Sequence, residues 1–116
     1  MKLLYIFVGG GIGSILRYLI SVSTFQYTFP VATFLVNLVS CIIYGLVISS
    51  VAYFDLNKDW NLLLLVGLCG GLSTFSAFSF ETLNLIKDGY VFYAILNIVF
   101  SISLCCGVLY FFSKRL

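Results

Sequence analysis

Gly70-Gly71-Leu72-Ser73-Thr74-Phe75-Ser76-Ala77-Phe78-Ser79 sets a glycine pair, then interleaved hydroxyls and phenylalanines, in the middle of a long apolar segment. Glycines loosen a helix because they add backbone freedom without side-chain packing, and Ser and Thr offer the backbone competing hydrogen bonds. The stretch therefore predicts a broken helix. In hydrocarbon, each unpaired N–H or C=O costs several kcal/mol, so a break survives only where protein or a water-filled cavity receives those groups. A binding or permeation element is the reading that follows.

The surrounding chain fits that setting. Of 116 residues, 62% are hydrophobic and 9% charged, and the mean hydropathy is +1.16, far from a soluble domain. The apolar content runs through the whole chain, which predicts one integral membrane domain with little outside the bilayer. The net charge is only +2, and no basic block is present, which argues against nucleic acid as a partner. There is no histidine, and the four cysteines, Cys41, Cys69, Cys105 and Cys106, all lie in apolar runs. Neither a zinc site nor a disulfide framework is suggested, and the thiols read as small packing groups.

Four spans are expected, over about 3–22, 31–53, 61–86 and 90–112. The first carries Gly9 and Gly13 four apart with Arg17 one turn on. Small residues at that spacing let helices approach closely, while Arg17 either snorkels to the headgroups or turns inward. A polar passage, Ser23 to Thr28, leads to Pro30, the only proline, well placed near a helix start. On the second span Thr33, Asn37, Ser40 and Tyr44 draw a polar stripe. Asn37 sits mid-span, and its amide must be bonded to another helix or face an anion with its two donors.

The most polar loop holds Asp55, Asn57, Lys58, Asp59 and Trp60, the last suited to the membrane interface. On the third span Gly67 and Gly71 again stand four apart, and Phe75, Phe78, Ser79 and Thr82 share a helical face beyond the break. Glu81 is expected to pair with a cation such as Arg17 in preference to relaying protons. Lys87-Asp88-Gly89 forms a turn, and on the fourth span Tyr93, Asn97 and Ser101 stack as a second polar track. Lys2, Lys58, Lys114 and Arg115 fall on one side of the membrane, against Lys87 and Arg17 near the other, a weak bias toward cytoplasmic termini. A four-helix chain is too small to shelter a break and two polar tracks from lipid, so an oligomer, most simply a two-fold dimer, is expected.

Taken together, Gly9-Gly10 with Gly13 and Arg17-Tyr18, Pro30 with Thr33 and Asn37, and above all the 70–79 motif resemble the small bacterial fluoride channels of the CrcB or Fluc family. The resemblance covers nearly the whole chain. It implies an all-α membrane protein with four transmembrane helices per chain, the third broken at its centre, assembled as an antiparallel dual-topology homodimer in the bacterial inner membrane. It also implies two fluoride pathways and a structural sodium ion at the dimer centre. By position, Phe75 and Phe78 match the family's phenylalanine box, Asn37 its second-helix pore asparagine, and Tyr93, Asn97 and Ser101 its fourth-helix track. Ser79 and Thr82 lie beside the phenylalanines as hydroxyl donors, and Arg17 matches the vestibule arginine. The carbonyls of Gly70 and Ser73 match those that hold the sodium. Ala32 stands where a glycine is common, and Asn97 is larger than the serine of some members, which bears on the geometry of the track.

Two alternatives belong to other classes. A small multidrug transporter would share the length and span count but exchanges protons on a first-span carboxylate, and this first span has none. A non-transporting assembly subunit would explain the glycines but gives no reason for the Asn37, Phe75, Phe78 and Tyr93 constellation. A heterodimer with a sister chain of opposite orientation is the alternative to self-pairing. No nucleophile, base or redox cofactor site is evident, which argues against an enzyme.

Overall fold

The computed structural model describes residues 1–24, 29–54 and 57–114. Part of the polar passage after the first span, Asp55 of the second loop and Arg115 at the C-terminus lie outside the described residues. The chain forms α1 (Lys2–Ser23), α2 (Val31–Phe54), α3 (Lys58–Asn61), a π-helical stretch (Leu62–Cys69), α4 (Gly70–Leu72), α5 (Phe75–Lys87) and α6 (Val91–Ser113). Four of these units are long and apolar enough to cross a bilayer: Lys2–Ser23, Val31–Val51, the composite third span Lys58–Lys87, and Val91–Ser113. The longest dimension is 49 Å, ample for a hydrocarbon core of about 30 Å.

The spans do not pair in chain order. α1 lies along the first half of the third span, α2 lies chiefly along α6, and α5 also rests on α6. The first contact is made by glycine. A Cβ on Gly9 would run into the Leu63 carbonyl oxygen, one on Gly13 into the Leu68 carbonyl, and one on Gly71 into the Gly10 carbonyl. The two helices therefore meet backbone to backbone, the packing that small residues four apart permit in lipid. On the other side of the molecule, Gly45 makes room for the Phe112 ring.

The turn between α5 and α6 is closed by Gly89, whose φ is +87°. Tyr90 N–H donates to the Leu85 carbonyl at 2.8 Å and Gly89 N–H to the Ile86 carbonyl at 3.2 Å. This is the glycine-terminated helix end that left-handed backbone allows, and it satisfies two orphan carbonyls. Little side-chain volume is sealed inside one chain; Leu72, Val36 and Asn97 are the largest side chains fully buried in it. Many large apolar side chains, Leu3, Phe7, Phe75 and Tyr110 among them, are exposed on the single chain, as lipid or a second copy requires.

The break falls inside the expected stretch, at its hydroxyl end. Gly70 is helical, with φ −63° and ψ −36°, and Gly71 serves the close approach to α1. The backbone leaves the helix two residues later, at Ser73 (φ −76°, ψ 153°) and Thr74 (φ −148°, ψ 115°). Hydroxyls, not glycines, end the helix. Ser73 Oγ donates to the Cys69 carbonyl at 2.8 Å, the same oxygen that accepts from Ser73 N–H at 3.0 Å. Thr74 Oγ1 then accepts from Ala77 N–H at 3.2 Å and caps α5.

Candidate functional site

Thr74 is the hinge of the site, and Asn37 holds it. From α2, Asn37 Oδ1 accepts from Thr74 N–H at 2.8 Å while its Nδ2 donates to the Thr74 carbonyl at 3.4 Å. One amide thus engages both backbone groups of a residue taken out of its helix, as a neighbouring strand would. The Thr74 amide would bond Gly70 C=O in an unbroken helix; given to Asn37, it leaves that carbonyl without its helical donor. One turn further along α2, Ser40 Oγ donates to the Cys69 carbonyl at 3.0 Å, adding a second clamp just before the break.

Beyond the break, a cavity of about 320 Å³ opens between α2, α5 and α6, with Asn37, Thr74, Phe75, Phe78 and Ser101 on its wall. The Phe75 and Phe78 rings are 5.9 Å apart at 37°. Phe75 is 80% exposed in the single chain, so the cavity has an open side. Behind its wall runs a bonded polar chain: Ser101 Oγ donates to Asn97 Oδ1 at 3.3 Å, Asn97 Nδ2 to Thr82 Oγ1 at 2.9 Å, and Thr82 Oγ1 to the Phe78 carbonyl at 2.7 Å.

On the other side of Thr74 lies a second cavity, of about 290 Å³, whose wall includes Arg17, Tyr18, Thr33 and Glu81. The expected Arg17–Glu81 ion pair does not form: among the described residues Arg17 has no bonded partner. Glu81 instead receives the Thr33 hydroxyl on Oε1 at 2.8 Å, while its Oε2 is buried without a partner. The reason is position. From α2, Thr33 bonds the carboxylate on α5 directly, whereas Arg17 borders the same cavity from α1 without an ion pair to it.

The nine pathway residues read from the sequence are therefore distributed, not collected. Asn37, Phe75, Phe78 and Ser101 face one cavity, Asn97 and Thr82 are bonded behind it, and Arg17 faces the other. Ser79 is exposed on the outside of α5, and Tyr93 stacks with Tyr90 at 5.9 Å and Phe92 at 6.3 Å. Neither lines either of these two cavities. Thr74 was not singled out from the sequence, although it forms the wall between the two cavities. The signal for it was present, since a lone Thr three residues before Ala77 has the spacing of an N-cap.

An interrupted membrane helix opening on paired cavities, with donors supplied by an amide and hydroxyls, defines a four-span membrane protein built around a path or binding site in the bilayer. The family model described as CrcB-like protein, Camphor Resistance (CrcB), matches residues 4–112, and the chain belongs to that family. It is 46% identical over 91 residues to the fluoride-specific ion channel FluC of Phocaeicola vulgatus, covering 76% of this chain and 75% of the relative. Proteins of the same description from Methanococcus aeolicus (39% identical; 94% and 89% covered) and Pyrococcus horikoshii (42% identical; 82% and 79% covered) are also similar.

Proposed function

We propose that this protein is a fluoride-selective channel that lets cytoplasmic fluoride leave down its electrochemical gradient and so confers fluoride resistance. The observation that carries the reading is the cavity at the break, where the Asn37 amide, the Ser101 hydroxyl and two phenyl rings face one space, in a chain whose relatives are described as fluoride-specific channels. Fluoride is small and strongly hydrated, so a selective path must replace its water with close donors. The Asn37 amide keeps one N–H beyond its bond to Thr74, the Ser101 hydroxyl supplies another on turning from Asn97, and ring edges carry the positive side of the phenyl quadrupole while admitting little water. A larger, more weakly hydrated halide gains less from the same donors. Asn37, Phe75, Phe78 and Ser101 line the path, Asn97 and Thr82 set the donors behind it, and Arg17 draws anions into the vestibule beyond Thr74. Tyr93 and Ser79 join the path where a second copy closes the open side. Conduction is passive, and the chain is not an enzyme.

The working unit in this reading is an antiparallel dual-topology homodimer spanning the bacterial inner membrane several times. Its support is the uncovered break. Gly70 is exposed, and its carbonyl has lost its helical donor to Asn37. Hydrocarbon does not tolerate such a group, and a second copy covers it. Free carbonyls with no nearby carboxylate suit a hard, singly charged cation, so the Gly70 and Ser73 carbonyls would hold a structural sodium ion there, which supplies positive charge and ties the two breaks.

The experiment is anion efflux from liposomes holding the purified protein, fluoride and chloride being followed in matched runs. Fast fluoride loss with little chloride loss is expected. Equal loss of both, or none from folded protein with or without a sister chain, overturns the reading.

A further inference from the structure

We propose that Cys41 and Cys105 form a two-thiol site for a soft divalent cation of the Hg(II) type, built into the wall of the Asn37 cavity. The two polar tracks each continue into a thiol: Cys41 lies one turn beyond Asn37 on α2, and Cys105 one turn beyond Ser101 on α6. Both line the same cavity as those two residues. α2 and α6 are in extended contact, so the two thiols meet one space from neighbouring helices. Both thiols are reduced and half-exposed; Cys106 also borders the cavity but is exposed and lies off the face that continues the Asn97–Ser101 track, whereas Cys69 is buried and outside the wall.

The chemistry of the wall selects the ligand. Among the described residues, no group of three or more histidine, cysteine or acidic side chains converges as a metal site, and the cavity wall holds no carboxylate. Hard divalent cations, which seek carboxylates, and four-coordinate zinc lack a full set of donors there. A soft cation content with two sulfur ligands does not, since thiolates favour soft metals. On binding from mercuric chloride, two S–H and two Hg–Cl bonds break, two Hg–S bonds form, and two protons and two chlorides leave to solvent; nothing is oxidised or reduced. The product is neutral, so it escapes the cost of a net charge in a low-dielectric interior. Bound between the two tracks, the metal fills the cavity and stops conduction, a consequence that rests on the fluoride-path reading above.

The test titrates the purified, detergent-solubilised protein with mercuric chloride, read by native mass spectrometry and by counting residual thiols. One mercury per chain is expected, leaving two of the four thiols. Cys41→Ala and Cys105→Ala should each weaken binding by about a hundredfold or more, the advantage a second pre-placed ligand gives. Cys69→Ala and Cys106→Ala should bind as the parent does, and all four variants are checked for the parent's elution as an assembly. In liposomes, mercury should abolish fluoride efflux and a dithiol should restore it, with the Cys41 and Cys105 variants resistant. Unchanged affinity in both of those variants, or pairing that involves Cys106 instead, overturns the site. Stoichiometric binding with undiminished efflux overturns its placement on the path. Absence of efflux before any mercury is added would fail the fluoride reading, and the binding titration would still decide the site.

Discussion

Asn37 and Thr74 bear the largest consequence of any single pair, because one side chain carries both backbone bonds of a residue that no helix supports. Asn37→Ala should lower stability by about 1–3 kcal/mol, the cost of leaving a buried amide unpaired, and this is measurable as a fall in thermal midpoint in detergent. Fluoride efflux should fall with it, because the cavity wall moves. The phenylalanines predict the opposite split. Phe75→Ile or Phe78→Ile keeps apolar bulk and removes the ring edge, so the assembly should remain folded while efflux drops by about tenfold or more, equivalent to at least ~1.4 kcal/mol at the barrier. Undiminished flux in both variants would remove these rings from the path. Glu81 shows the limit of residue-level reading. Its sign and depth invited a cation partner, yet the nearer Thr33 hydroxyl took one oxygen.

At the scale of elements, the α1 crossing predicts a sharp contrast between neighbouring glycines. Gly13→Val drives side-chain atoms into the Leu68 carbonyl, whereas at Gly11 a new Cβ meets nothing within 4 Å. The first should cost about 1–3 kcal/mol or more by overpacking and reduce the yield of assembled protein in size-exclusion profiles; Gly11→Val should leave the profile unchanged. Much of this level was legible in the sequence. Hydropathy runs gave the four spans, the i, i+4 glycines gave the close contact, and the 70–79 motif gave an interrupted third helix. What the sequence did not yield was where the interruption falls. Glycine is permissive, and a neighbour decides how it is used: α1 needs Gly71 in helical form, so the exit shifts to Ser73, whose hydroxyl can close the last carbonyl. The π-helical winding of Leu62–Cys69 was equally invisible, since a run of leucine carries no periodic signal.

For the molecule as a whole, the uncovered break and the weak charge bias lead to two expectations. Replacing sodium by a large organic cation should lower the thermal midpoint of the assembly while leaving a variant already dissociated unaffected; an unchanged midpoint would argue against the ion. A cysteine placed at Lys58, in a background without the native thiols, should react with an impermeant reagent from both faces of the membrane, about half from each, if copies insert in opposite senses; reaction from one face only would exclude dual topology. The two cavities, separated by Thr74, were not legible at this scale because they depend on which helices become neighbours. That pairing also has a consequence in time. The first span's main partner is the third and the second span's is the fourth, so the two partnerships interleave and close at different times. During synthesis α1 can dock once the third span has entered the membrane, and Thr74 is then available to Asn37, but α2 lacks its principal partner until α6, the last span, has arrived.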